Sequence, residues 1–265
     1  MKLEFAQVSD NGRVRDHNED YCGYVLPETP AQIRTHGWLF ALADGVGGQA
    51  LGELASRTAV EAVLAGFRQA KGGESLEALL TALLQKANAR VFEISLGAAR
   101  NGAGTATTLV ACALRFDRVA VAHVGDSRCY LIRRGRATAL TRDHTVASEQ
   151  ARVGLLSAQE AAKASTRHVL TRSLGSELFA GVDSSEHLVL AGDVLLLCSD
   201  GLHGAIGASE IAEVIGENAD LKKAAERLVS LANQRDGADN ITVQLVRIQS
   251  VERVGTYRGL PYKLR

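Results

Sequence analysis

The sequence has no excess charge of either sign: 30 Lys and Arg stand against 30 Asp and Glu in 265 residues. A nucleic-acid binder normally shows a basic face, so that class is disfavoured. No stretch approaches the ~20 apolar residues of a membrane span. The opening Met1-Lys2-Leu3-Glu4-Phe5 also lacks the long apolar core of a signal peptide. Cysteine is sparse. Cys22, Cys112, Cys129 and Cys198 each sit in an apolar, strand-like run, and no two form a Cys-x-x-Cys pair. That usage fits reduced, mostly buried thiols in a cytoplasmic protein. No internal repeat is present, and the glycine-rich Asp44-Gly45-Val46-Gly47-Gly48 lacks the Gly-Lys-Ser/Thr ending of a phosphate-binding P-loop.

Apolar residues make up 46% of the chain, enough for a sizeable core in one large domain or two small ones. The most telling stretch is Trp38-Leu39-Phe40-Ala41-Leu42-Ala43-Asp44-Gly45. A short continuous apolar run bounded by glycine reads as a buried strand, so Asp44 is a carboxylate held at the edge of a core. Taken alone this could be a tight Asp-Gly turn. It is not alone. Val194–Cys198 leads to Ser199-Asp200-Gly201, Val119–Val124 leads to Gly125-Asp126, and Asp236-Gly237-Ala238-Asp239-Asn240 precedes the apolar run from Ile241. Carboxylates delivered by several rigid strand ends make a hard, all-oxygen site that suits Mg²⁺ or Mn²⁺ rather than zinc or copper.

Taken in order, residues 3–9 read as a strand, Asp10-Asn11-Gly12 as a turn, and 21–26 as a second strand. Between them lies Arg13-Val14-Arg15-Asp16-His17-Asn18-Glu19-Asp20. If extended, it puts Arg15, His17 and Glu19 on one face. It reads either as a solvated edge or as an anion-binding arginine beside a metal-binding acid pair. Residues 27–36 read as a polar loop. Two helices follow, with stripes at Leu51, Leu54, Ala55, Ala59, Ala62, Val63 and at Leu76, Leu79, Leu80, Leu83, Leu84, Ala87, Val91, Ile94. After a small-residue loop at 97–104, strands at 105–115, 118–124 and 128–133 read as an antiparallel meander. Residues 136–175 form a long, irregular segment with short helical patches, a candidate functional flap. A strand ending at Asp200, two more helices and a final strand from Ile241 complete the pattern. Residues 249–265 read as a weakly patterned basic tail or linker. Grouped strands and paired helices predict an α+β fold, helices packed on antiparallel sheet.

Eight motifs occur in order: Arg15-x-x-Asn18-Glu19-Asp20, Ala43-Asp44-Gly45-x-Gly47-Gly48, Gly104-Thr105-Ala106, Val124-Gly125-Asp126-Ser127-Arg128, Asp143-His144-Thr145, Leu170-Thr171-Arg172-Ser173-Leu174-Gly175, Cys198-Ser199-Asp200-Gly201-Leu202 and Asp239-Asn240-Ile241-Thr242. In this order they resemble the metal-dependent Ser/Thr protein phosphatases of the 2C family, in their compact bacterial form, from about Phe5 to Val246. The resemblance implies a sandwich of two antiparallel β-sheets flanked by pairs of antiparallel helices, with one catalytic domain over 1–248. It implies that Asp44 bridges two metals with the Gly45 carbonyl as a further ligand, and that Asp200 and Asp239 complete one metal. Glu19 or Asp20 would serve the other, and Asp126 with Asp200 a third, weaker one. Mn²⁺ or Mg²⁺ is the expected cofactor, two bound tightly. Arg15 would hold the phosphate by a bidentate match to its oxygens. Two cations ~3.5–4 Å apart would acidify a bridging water for in-line attack. The implied substrates are phosphorylated proteins, opposing a Ser/Thr kinase, and the implied enzyme is a monomer acting without nucleic acid or membrane.

Two other classes compete: a metal-binding signalling module without activity, and a two-metal phosphodiesterase. Every acidic position is filled, against the first, and net charge is zero, against the second. Cys112 to Arg118 also matches the Cys-x₅-Arg spacing of cysteine-dependent phosphatases, but Leu114, Phe116 and Asp117 stand where that loop needs glycines. The alkoxide leaving group needs a general acid, and Val46 stands where some family members carry histidine. Of the histidines considered, His123 lies within a strand, His17 and His36 read as surface residues, and His144 as a structural hydrogen-bonding position. The donor is then another residue or a metal-bound water, and His168, at the end of the flap, is the residue expected to supply it.

Overall fold

The structure, a computed structural model, describes residues 1–47, 50–99, 104–257 and 260–263, without the side chains of 50 and 254–263. Gly48 of the first glycine motif, 100–103 of the small-residue loop, and 258–259 and 264–265 of the tail lie outside the described residues.

In chain order the elements are β1 (Lys2–Asp10), β2 (Asp20–Val25), α1 (Pro30–Thr35), β3 (Trp38–Val46), α2 (Ala50–Gln69), α3 (Leu76–Ala99), β4 (Ala106–Thr107), β5 (Leu109–Arg115), β6 (Arg118–Val124), β7 (Arg128–Arg133) and β8 (Arg136–Ala139). Then come α4 (Val146–Arg152), α5 (Ala158–Lys163), a 3₁₀ turn (Ser165–His168), β9 (Asp183–Leu188), β10 (Val194–Cys198), α6 (Asp200–His203), α7 (Ala208–Glu217), α8 (Leu221–Arg235), β11 (Ile241–Ser250), β12 (Val254–Tyr257) and β13 (Leu260–Lys263). One sheet has the order β1-β11-β10-β7-β8, the other β2-β3-β5-β6-β9 with β4 paired to β3. All of these pairings are antiparallel.

The layers explain the apolar runs. Along β3, Leu39, Ala41 and Ala43 pack beneath α2 and α3, while Trp38, Phe40 and Leu42 face the opposite sheet. Along β10, Leu196 and Cys198 pack against α7 and α8, and Leu195 and Leu197 fill the space between the sheets. A strand covered on both faces reads as a continuous hydrophobic run instead of an alternating one. The two leucine-rich stripes are core: Leu80, Leu84 and Val91 of α3, and Ala224, Ala225 and Leu228 of α8, are fully buried.

Four expectations change. The strands at 118–124 and 128–133 do not form a meander: β6 pairs with β5, and β7 crosses to the other sheet beside β10. The crossing is made at Gly125, whose φ of 103° favours glycine; a Cβ there would lie 2.6 Å from the Cβ of Thr108. The loop at 27–36 contains α1, which has no apolar stripe and is started by a capping box between Thr29 and Gln32 with Pro30 in the first turn. The first four residues of the expected flap are strand β8, and Asp183–Leu188 is an edge strand without a hydrophobic run. The expected tail begins inside β11 and continues as an antiparallel hairpin, β12–β13.

Candidate metal centre

Strand ends converge on a cleft of about 580 Å³ lined by Arg15, Glu19, Asp44, Gly45, Asp126, Arg167, His168, Asp200 and Asp239 among others. Asp44 and Gly45 come from the end of β3, Asp126 from the turn after β6, Asp200 from the residue pair after β10, and Asp239 from just before β11. Glu19 and Asp20 separate. Glu19 lines the cleft, whereas Asp20, paired with Asp44 across β2–β3, is only 6% exposed and lies beneath it. Gly45 is needed for the close approach: a Cβ would sit 2.2 Å from the Gly52 carbonyl oxygen. Its N–H donates to the Glu19 carbonyl at 3.1 Å.

These carboxylates are crowded and short of positive charge. Burial, reinforced by Asp200 and Asp239, raises Asp20 to about 7. Burial, reinforced by Asp200 and Asp143, raises Asp126 to about 7. Asp44 is pushed well above the carboxylate range by burial and then by Asp20, Asp200, Asp126 and Asp239. Burial also pushes Asp200 up, but the His168 hydrogen bond, the nearby His203 and His168 rings and a hydrogen bond with Asp44 together bring it below its ordinary value. Asp20 Oδ1 and Asp200 Oδ1 are buried without a hydrogen-bond partner among the described residues, which is costly for an ionised group unless a cation supplies the contact. The donor set is all oxygen, the preference of Mg²⁺ and Mn²⁺, so the residues present fit such ions.

Arg15 is not directed to an empty anion site. Its Nε and Nη2 each lie 3.0 Å from a carboxylate oxygen of Asp239, a two-pronged pair on the cleft wall, and the Asp239 hydrogen bond raises its pKa. His168 reaches the cleft as expected, from the 3₁₀ turn at the end of the flap, with Nδ1 3.5 Å from Asp200 Oδ2. That contact raises its pKa. His123 and His144 are structural. His123 Nε2 donates to the Arg142 carbonyl at 2.8 Å, and His144 is fully buried. His36 is not a surface residue: it is half-buried, with Nε2 bonded to the Ala70 carbonyl.

Several residues at the site had no role in the sequence reading. Asn240 accepts from the Glu19 N–H at 2.8 Å and donates to the carbonyls of Asn11 and His17 at 3.0 and 2.9 Å, which ties down the loop carrying Arg15 and Glu19. Ser199 Oγ donates to Asp20 Oδ2 at 2.7 Å. The visible signal for both was a polar residue beside an aspartate at the end of an apolar run. His203, whose Nε2 donates to the Asp126 carbonyl at 2.9 Å and whose pKa burial lowers to about 4, left no such signal, nor did Arg167. A second group, His123, His144 and Asp183, also brings ligand-type atoms within 4.8 Å of one another. Arg172 Nη1, 2.9 Å from Asp183 and 3.3 Å from His144 Nε2, already supplies positive charge there. The Cys-x₅-Arg spacing spans the β5–β6 hairpin, with Cys112 fully buried and Arg118 beside Asp117 and Glu186.

The comparisons with known proteins agree with this geometry. Residues 13–246 match the family Protein phosphatase 2C. The chain is 34% identical over 254 residues to the serine/threonine phosphatase stp of Listeria innocua, covering 93% of this chain and 95% of that one. The S. agalactiae serine/threonine phosphatase superimposes with a TM-score of 0.85 at 31% identity, over 93% of this chain and 100% of the other. The catalytic domain of serine threonine protein phosphatase PstP, solved in complex with two manganese ions, gives 0.75 at 33% identity, over 92% and 97%. With a carboxylate-lined cleft at the strand ends of an antiparallel sandwich, and a family match over most of its length, the chain belongs to the protein phosphatase 2C family of metal-dependent serine/threonine phosphatases.

Proposed function

We propose that this enzyme removes phosphate from phosphoserine and phosphothreonine in proteins at a site holding two tightly bound Mn²⁺ or Mg²⁺ ions and a third, weaker one. The observation that carries the reading is the meeting of Glu19, Asp44, Asp126, Asp200 and Asp239 in one cleft, with two buried carboxylate oxygens that have no hydrogen-bond partner among the described residues. Asp44 would serve both tight ions and the Gly45 carbonyl would be a further ligand; Asp200 and Asp239 would complete one ion, and Glu19 or Asp20 would serve the other. Asp126 with Asp200 would hold the third. Divalent cations, when bound, acidify water and neutralise phosphoryl charge.

The chain's own groups do the rest. Arg15 commits Nε and Nη2 to Asp239, which leaves Nη1 for a phosphoryl oxygen. Asp200 holds the His168 ring through Nδ1 and raises its pKa. This favours the protonated form that can give a proton to a serine or threonine alkoxide. We further read 1–248 as one catalytic domain with the flap at about 136–175, its first residues forming β8, and with the end of β11 and the β12–β13 pair beyond it. We read it as a cytoplasmic monomer that opposes a Ser/Thr kinase; its four free thiols fit a reducing compartment.

Turnover of a phosphothreonine peptide, an aryl phosphate and a phosphodiester, each with Mn²⁺ and with excess chelator, tests the reading. Metal-dependent hydrolysis of the first two is expected, together with full activity of Cys112→Ser. Preference for the diester would favour a phosphodiesterase, tight metal binding without turnover would favour a signalling module, and activity in chelator would end the metal reading.

A further inference from the structure

The Asp126 carboxylate takes no side-chain hydrogen bond or ion pair among the described residues. Apart from a bond to its own backbone, its position is therefore set by the turn, and two imidazoles bond that turn at different backbone groups. On one side, His144 Nδ1 accepts from the Gly125 N–H at 3.2 Å, and the His144 N–H donates to the Gly125 carbonyl at 3.0 Å. On the other, His203 Nε2 donates to the Asp126 carbonyl at 2.9 Å. The tautomers follow. A ring nitrogen that accepts from a backbone N–H carries no proton, so the His144 proton lies on Nε2, facing Asp183 Oδ2 at 3.2 Å. The His144 ring is also stacked on His123, with centroids 4.7 Å apart, so it cannot swing away without disturbing the core.

We propose that His144 and His203 are positioning residues for Asp126, and that their hydrogen bonds to the Gly125-Asp126 backbone set the affinity of the weaker metal site. The proposal rests on reading Asp126 as a ligand of that site. It also gives the flap a connection to the metal centre. The Thr171 N–H, where the chain returns from the flap, donates to the His144 carbonyl at 2.8 Å, so His144 belongs both to the flap base and to the Asp126 turn. The same tautomer argues against reading His123, His144 and Asp183 as a cation site, because Nε2 is protonated and Arg172 lies 3.3 Å from it.

Isosteric amides separate the two bonds of His144. An asparagine amide oxygen reaches the place of Nδ1 and keeps an acceptor for Gly125; a glutamine amide nitrogen reaches the place of Nε2 and keeps only a donor toward Asp183. For His203 the useful pair is His203→Gln, which keeps the donor, and His203→Ala, which loses it. Mn²⁺ binding to each full-length variant is titrated by calorimetry, with circular dichroism and thermal melting as folding controls. Outer-sphere contacts to metal ligands are typically worth about 10–100-fold in affinity. We expect His144→Gln and His203→Ala to weaken the weaker site by at least roughly tenfold on that scale, leaving the tight sites unchanged. His144→Asn and His203→Gln should stay near wild type. Equal affinity in His144→Gln and wild type, or equal loss in His144→Asn and His144→Gln, overturns the role of the Gly125 bond. If His144→Gln does not fold, the His203 pair decides, and matching affinities within it overturn the proposal. Asp126→Ala is the control for the reading beneath: if it removes no Mn²⁺ site, Asp126 is not a ligand and the proposal falls with that assignment.

Discussion

His168 Nδ1 lies 3.5 Å from Asp200 Oδ2, although one residue ends the flap and the other follows β10. The contact places an imidazole at the mouth of a cleft otherwise dominated by carboxylates, and orients the ring with its other nitrogen available.

If that ring protonates the leaving group, its value depends on how poor the leaving group is. A positioned acid typically contributes 10²–10⁴-fold. His168→Ala should therefore lose about 10²-fold or more in kcat on a phosphothreonine peptide and change little on p-nitrophenyl phosphate. Steady-state kinetics on both substrates checks this; equal losses would make His168 a phosphate-positioning or flap-shaping residue.

The carboxylates should not be equivalent. Asp44→Ala and Asp239→Ala are expected to abolish tight Mn²⁺ binding and nearly all turnover. Asp126→Ala should keep tight binding yet lose much of its rate. Calorimetric titration ranks them, and loss of tight binding in Asp126→Ala would move Asp126 from the weaker site to the tight pair.

Stability should depend on pH in a direction opposite to that of ordinary salt-bridged acids. Asp20 and Asp126 are raised to about 7 in the fold, against ~3.9 for an unfolded aspartate. At these two groups the folded state holds more protons than the unfolded one between those values, so their contribution to stability falls as pH rises through the window; His203, lowered to about 4, acts in the opposite sense, but only up to its unfolded value of ~6.5. In chelator, Tm should drop between pH 6.5 and pH 8. Saturating Mn²⁺ should remove the drop, because bound carboxylates are already deprotonated. Differential scanning fluorimetry at both pH values decides it, a metal-free Tm that rises being the contrary result.

Asn240 is 5% exposed and makes three hydrogen bonds to the 11–19 segment. Asn240→Ala should leave the Glu19 N–H and two carbonyls without these partners, at about 1–3 kcal/mol for each group left buried. The Arg15 loop should loosen before the core does. Urea unfolding reads the first effect and limited proteolysis near Arg13 and Arg15 the second; an unchanged cleavage rate would mean that the loop is held from elsewhere.

Much of this was legible in the sequence because it is local. The run Trp38–Ala43 into Asp44-Gly45 reads as a buried strand ending in a carboxylate, since a strand covered on both faces has no polar alternation. The same reasoning reached Asp126, Asp200 and Asp239, and the stripes of α3 and α8 follow from helical period. What could not be read is where the chain crosses between layers and which distant groups then meet. Nothing in Arg128–Arg133 distinguishes a third meander strand from a strand of the opposite sheet; the outcome depends on the left-handed Gly125 and its packing on Thr108. Edge strand β9 and the capped helix α1 lack the apolar pattern that marks an element. The Arg15–Asp239 pair joins residues 224 apart, and His144 and His203 meet the Asp126 turn from separate segments. Such contacts are decided by the packing of the two sheets, because hydrogen bonds and ion pairs act over a few ångströms while sequence patterns report only burial and backbone preference.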